Sequence, residues 1–180
     1  LAVENGGKIN YQSGAINLGD ERYGALIDGA ASVIDFGGND ITVGEKSVAV
    51  MLQNGGQLNN TLHDINVGKA GVGIYLADAT NIISPASRTI NLSENATGIY
   101  GDNGGNIQLD GNILSVSDGA KGIASKNSAL STIENAGNID LSGKASVGMY
   151  GEGIDTIKNN AGKTKNREDF SGWRSAPGSF

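Results

Sequence analysis

The 180-residue chain has no cysteine, two prolines, one tryptophan, three phenylalanines and one histidine. Without cysteine there is no disulfide, no thiolate nucleophile and no Cys-ligated metal. No run of 18 apolar residues occurs, so no segment reads as a membrane-spanning helix. The opening LAVENGGKIN lacks the charged-then-apolar pattern of a signal segment. Positive charge is also scarce, with 13 Lys and Arg against 19 Asp and Glu, a net charge of −6. From Lys158 onward five cations face two acids, which leaves −9 on the preceding residues. Such a surface repels nucleic acid and anionic membrane, and neither is expected as a partner.

Glycine, by contrast, is abundant, at 29 residues. It recurs in near-copies of one phrase: GVGIYLADAT at Gly71, ATGIYGDNGG at Ala96 and SVGMYGEGID at Ser146. Extending the phrase in both directions gives Gly24, Ala49, Gly73, Gly98, Gly122 and Gly148, at intervals of 25, 24, 25, 24 and 26 residues. A second column holds Ile16, Ile41, Ile65, Ile90, Leu114 and Ile139. Two residues later stand Leu18, Val43, Val67, Leu92, Val116 and Leu141. Asn, Thr, Ser or Asp separates each pair, the alternation of a strand with one face in a core and one in water. A third column runs Ile9, Ile34, Leu58, Ile82 or Ile83, Ile107, Ile133 and Ile157.

Each unit of about 24–25 residues thus holds three short strands joined by Gly, Asn, Asp and Ser turns, with no room for a helix. Leucine-rich repeats need a denser Leu pattern, and calcium-binding rolls need Gly-rich nonapeptides. Neither is present. A unit unable to bury its apolar side alone must stack on its neighbours, which predicts an all-β, right-handed parallel β-helix over residues 1–157 with a core of Ile, Leu and Val. Six turns at a strand spacing of about 4.8 Å make a rod of about 30 Å. The repeat is in progress at Ile9 with no capping element before it, which predicts a piece of a longer, monomeric rod. Residues 158–180 hold the only Trp and lose the period. They read as a cap, a linker, appended foreign sequence or a frameshifted end, with Phe170 and Trp173 suited to covering an open core end.

Within GIYL, the Ile74 column (Ala25, Val50, Ile74, Ile99, Ile123, Met149) is apolar throughout and is assigned to the core. Leu26, Met51, Tyr75, Tyr100, Ala124 and Tyr150 then face outward. The tyrosines either stiffen a sheet by cross-strand stacking or form a contact stripe, and Tyr75, Tyr100 and Tyr150 are the candidate ligand-binding residues.

Enzymatic β-helices that cleave polysaccharides set the competing expectation, a lyase or glycoside hydrolase. A glycosidase needs two carboxylates roughly 5 to 9.5 Å apart. Asp40 and Asp64, one turn apart just before the Ile column, are the best such pair, but Ala15, Thr89, Ile113 and Asn138 complete their column. His63 shares a turn column with Gly14, Asn39, Arg88, Asn112 and Gly137, reads as an exposed turn residue, and has no Ser column beside it for a triad. The spacing of Asp102, Asp110 and Asp118 fits no calcium loop, and GDNGGN at Gly101 is a turn signature. No catalytic residue, metal ligand or cofactor is assigned.

Units such as ATGIYGDNGGNIQLDGNI and SALSTIENAGNIDLSGKASVGMYGEG resemble the passenger region of large bacterial autotransporter (type V secretion) adhesins, particularly fusobacterial ones, over roughly residues 7 to 157. The resemblance implies a right-handed β-helical segment, stalk or binding surface, at the cell surface of an outer-membrane-anchored protein. Its implied role is adhesion to glycan or protein on host cells or other bacteria.

Overall fold

The computed structural model describes residues 1–58, 63–78, 82–83, 89–103, 107–109, 111–115, 117–126, 132–153, 156–159 and 164–166. Among these every regular element is a strand, and every pairing is parallel between strands about one repeat apart. The chain is a parallel β-helix.

Two sheets have seven strands each. The first, here the tyrosine sheet, stacks Ala2–Val3, Tyr23–Asp28, Val48–Gln53, Val72–Leu76, Thr97–Asp102, Lys121–Lys126 and Val147–Gly151. The second, the isoleucine sheet, stacks Ile16–Leu18, Ile41–Val43, Ile65–Val67, Thr89–Leu92, Asn112–Ser115, Ile139–Leu141 and Thr164–Asn166. A third wall comes in pieces: Lys8–Asn10 on Val33–Asp35, Gln57–Leu58 on Ile82–Ile83, and Ile107–Leu109, Thr132–Asn135 and Thr156–Asn159 together. There Ile83, not Ile82, pairs with Leu58. Two ladders run past residue 157, where Lys158 pairs with Glu134 and Thr164 with Ile139. Thr and Asn replace the apolar pair in that last strand, so the sequence pattern fades while the backbone ladder continues. Phe170 and Trp173 lie outside the described residues, as do Arg88 and Asp110.

The core fills the space between the walls. Ala25, Val50, Ile74, Ile99 and Ile123 stack in register and are buried, with Met149 packed against them. Ile41, Ile65, Ile90, Ile113 and Ile139 form the opposing column. Aromatic rings are not excluded from this interior: Phe36, just after the strand Val33–Asp35, is fully buried.

One strand departs from the expected register. Ile113 pairs with Ile90 and Ile139, placing Leu114 outward at 39% exposure and burying Ser115 where a branched aliphatic was expected. The serine is accommodated by local backbone. Its hydroxyl donates to the Leu92 carbonyl at 2.8 Å and accepts from the Ser117 amide at 3.1 Å, so no polar atom is stranded. Asn112 accordingly takes the place before the core isoleucine and accepts from the Asn138 side chain at 3.3 Å.

The glycine column has a steric cause. A Cβ on Gly73 would meet the Gly98 carbonyl oxygen at 2.5 Å, and one on Gly98 the Gly122 carbonyl oxygen at 2.6 Å. At this point of the tyrosine sheet each turn presses its backbone against the next. A second periodic feature escapes composition. Glu21, Lys46, Ala70, Asn95, Gly119 and Ala145 all have positive φ, between 53° and 69°, at the same corner. Left-handed backbone costs an L-residue about 1–2 kcal/mol. Here the corner amides donate along the rod, from Lys46 to Lys69 O, Ala70 to Glu94 O and Asn95 to Asp118 O at 2.8–2.9 Å, so the inter-turn ladder offsets that strain.

Candidate functional site

Alternation along Val72–Leu76 and Thr97–Asp102 buries Ile74 and Ile99 and turns Tyr75 and Tyr100 outward. Tyr75 pairs with Met51 on one side and Tyr100 on the other, Tyr100 with Ala124, and Ala124 with Tyr150. All three tyrosines are half-buried. The Tyr75 and Tyr100 ring centroids lie 5.4 Å apart with planes tilted 43°. The spacing exceeds the bare strand repeat because tilted rings avoid the unfavourable face-to-face sandwich.

The polar tips of this row are held. The Tyr75 hydroxyl donates to Asp102 Oδ2 at 2.9 Å, and Tyr150 donates to Glu152 Oε2 at 3.2 Å. The Lys126 ammonium sits 5.8 Å from the Tyr100 ring centroid, a cation–π contact. Desolvation, followed by the bond to the Asp102 carboxylate, pushes the Tyr75 phenol up to about 12. Tyr150 is raised as well, by desolvation first, the Glu152 charge next and the bond to Glu152 last. Asp102 is therefore a partner of the aromatic row. Asp118 accepts the Lys144 amide at 2.8 Å, holding the next corner.

A second cluster lies on the isoleucine sheet's entry edge. Asp40 and Asp64 precede Ile41 and Ile65 on adjacent turns, as the column predicts. The Asp64 amide donates to Asp40 Oδ1 at 3.1 Å, and the Thr89 amide donates to Asp64 Oδ1 at 3.1 Å, so each carboxylate is held by the backbone of the turn above it. His63 swings in beside them, its Nδ1 2.7 Å from Asp40 Oδ1 and 3.9 Å from Asp64 Oδ1. The hydrogen bond to Asp40 first, then the Asp64 charge, raises the imidazole pKa. The same hydrogen bond, followed by the Asp64 amide, lowers that of Asp40. His63 is an exposed turn residue, as read from the sequence. Its convergence with both aspartates was not legible there. Asp40 stands 23 residues away, and the only signal was that the two share neighbouring outward columns one repeat apart.

Other outward side chains among the described residues pair along the rod. On the isoleucine sheet Asn66 donates to Thr42 Oγ1 at 3.2 Å, and Asn91 donates to Asn66 Oδ1 at 2.9 Å. Beside this ladder runs an open groove of about 250 Å³, floored near Val67 and Leu92 and bounded by the Gly68 turn.

Comparison with protein-family models, with curated protein sequences and with solved structures finds no match to this chain. The fold defines the class, a parallel β-solenoid.

Proposed function

We propose that the chain is a non-catalytic segment of an extracellular adhesin, a β-helical stalk whose tyrosine-bearing face meets glycan or protein on a host or bacterial surface. The observation that carries this reading is the row of Tyr75, Tyr100 and Tyr150 on the outside of the longest-stranded sheet, with the first two rings packed together and two hydroxyls held by Asp102 and Glu152. Aromatic rings already fixed on a rigid support lose little conformational freedom when a sugar face or a partner loop covers them. The acidic rod, at −6 overall, argues against nucleic acid and anionic lipid as partners. Support for surface exposure comes from the GIY and GNIxLxG repeats and their likeness to type V secretion passengers, which place such rods outside an outer membrane.

The non-catalytic part rests on how the outward side chains are used. Among the described residues, those on the outer face of the isoleucine sheet pair with their equivalents on neighbouring turns, as the Thr42, Asn66 and Asn91 ladder illustrates. A glycan and protein binding screen tests the reading, with the Tyr75→Thr, Tyr100→Thr double variant alongside. Binding to at least one glycan or cell-surface protein, weakened tenfold or more in a variant that keeps its β circular dichroism, is the expected result. Retained binding by the double variant removes these tyrosines from the site. Cleavage of uronate-containing or neutral polysaccharides, abolished by Asp40→Asn or Asp64→Asn, would replace the adhesin reading with an enzyme.

A further inference from the structure

We propose that Asp40, His63 and Asp64 form a surface site for a divalent transition-metal ion of the zinc type. The three side chains come from two turns of the coil, and one ligand atom from each lies within 4.8 Å of the other two. Zinc bonds to nitrogen and oxygen are about 2.0–2.2 Å, which in tetrahedral geometry sets ligand atoms about 3.4 Å apart. The His63 Nδ1 distances of 2.7 Å to Asp40 and 3.9 Å to Asp64 straddle that value, so rotation about side-chain torsions suffices to admit an ion. The inter-turn amides from Asp64 and Thr89 hold the carboxylates in place from behind, the kind of outer support that metal ligands require.

Charge points the same way and independently. The two carboxylates occupy adjacent rungs of one ladder, where like charges repel. Among the described residues no lysine or arginine nitrogen comes within 4.0 Å of either, and His63 is their one cationic neighbour. A divalent ion neutralises both at once. The imidazole selects the class of ion, since nitrogen ligands suit zinc, copper and nickel, whereas calcium and magnesium take oxygen. Binding puts the metal in place of the proton on Nδ1, leaving Nε2 protonated and facing solvent. Three protein ligands on an exposed edge leave the fourth position to water or to a donor from outside, the arrangement of an open rather than a purely structural site. This inference stands apart from the adhesin reading and from the tyrosine face.

His63 is the only histidine, so its ring nitrogens give a single pair of signals in a long-range 1H–15N spectrum of untagged protein. Titration with zinc alone should shift Nδ1 selectively and show one bound ion per chain by calorimetry. His63→Ala, at an exposed position, and Asp40→Asn, at a half-buried one, should each weaken binding tenfold or more with unchanged circular dichroism. Absence of binding up to about 1 mM zinc overturns the site. So does zinc affinity unaltered in His63→Ala, or tighter binding of calcium than of zinc, because in either case the imidazole is not a ligand.

Discussion

The Tyr75 hydroxyl and the Asp102 carboxylate, 2.9 Å apart, link one turn of the coil to the next over the packed rings of Tyr75 and Tyr100. The phenol must stay protonated to donate. Its pKa is raised by desolvation and by Asp102 to about 12, above the usual 10.0, so its contribution to stability is complete below pH 10 and disappears as pH rises through about 12. Ultraviolet titration should show a tyrosinate forming near pH 12 that vanishes in Tyr75→Phe. The double substitution to Thr should cost about 0.5–1.5 kcal/mol beyond lost area, the worth of a packed aromatic pair. Normal titration of every tyrosine near pH 10 would rule out the link.

The register of the strand Asn112–Ser115 can be tested by moving one charge by one residue. Ile113→Asp places an unpaired carboxylate in the core and should cost several kcal/mol, as should Ile99→Asp on the opposite wall. Leu114→Asp, on the exposed side, should change stability by no more than about 0.5 kcal/mol. Chemical denaturation of the variants separates the two registers, because the pairing read from the sequence alone requires the reverse ranking of Ile113 and Leu114.

Gly98→Ala should destabilise the rod by about 1–3 kcal/mol, since the new methyl meets the Gly122 carbonyl at 2.6 Å and neighbouring turns must part to admit it. The same substitution at Gly38, where a Cβ would meet nothing within 4 Å but φ is 75°, isolates the cost of left-handed backbone from that of inter-turn crowding. Thermal melts of both variants are the measurement. An unchanged melt for Gly98→Ala would show that crowding between turns does not govern the Gly98 column.

The His63–Asp40 contact makes stability depend on pH in both directions. The His63 pKa is raised, so its stabilising contribution is complete below the unfolded value of 6.5 and is lost as pH climbs through the folded value. The Asp40 pKa is lowered, so its contribution holds above 3.8 and is lost as pH falls through the folded value. Metal-free protein should therefore gain most from the pair between about pH 4 and 6.5, with the effect kept small by solvent at this exposed edge. Melting temperature followed against pH for the protein and for His63→Gln should show a difference confined to the range below the folded histidine pKa. A constant offset at all pH values would mean that the imidazole acts through packing alone.

Most of the fold was legible in the sequence because a coil repeats its physics every turn. The Ile74 column had to be inside and the Tyr75 column outside, since successive strand residues point to opposite faces and only one of the two columns was apolar throughout. The glycine of GIY was visible as a period, although its cause, backbone pressed on backbone, appears only when one turn lies on the next.

Where one turn differed from its neighbours, periodicity gave no guidance. Leu114 fits the aliphatic pattern better than Ile113, yet Ser115 can hydrogen-bond Leu92 and Ser117 and so occupy the core position that pattern reserved for Val116. The left-handed corner was hidden as well, because Glu21, Lys46, Ala70 and Ala145 carry no compositional sign of positive φ, and the first three are held there by amides bonded to the following turn. His63 and Asp40 met for the same reason. The sequence determined the period, the strand faces and the all-β class, which are properties of each repeat. The tertiary structure decided which side chains from different repeats touch, since that depends on the lateral offset of one turn on another, a quantity that no single repeat contains.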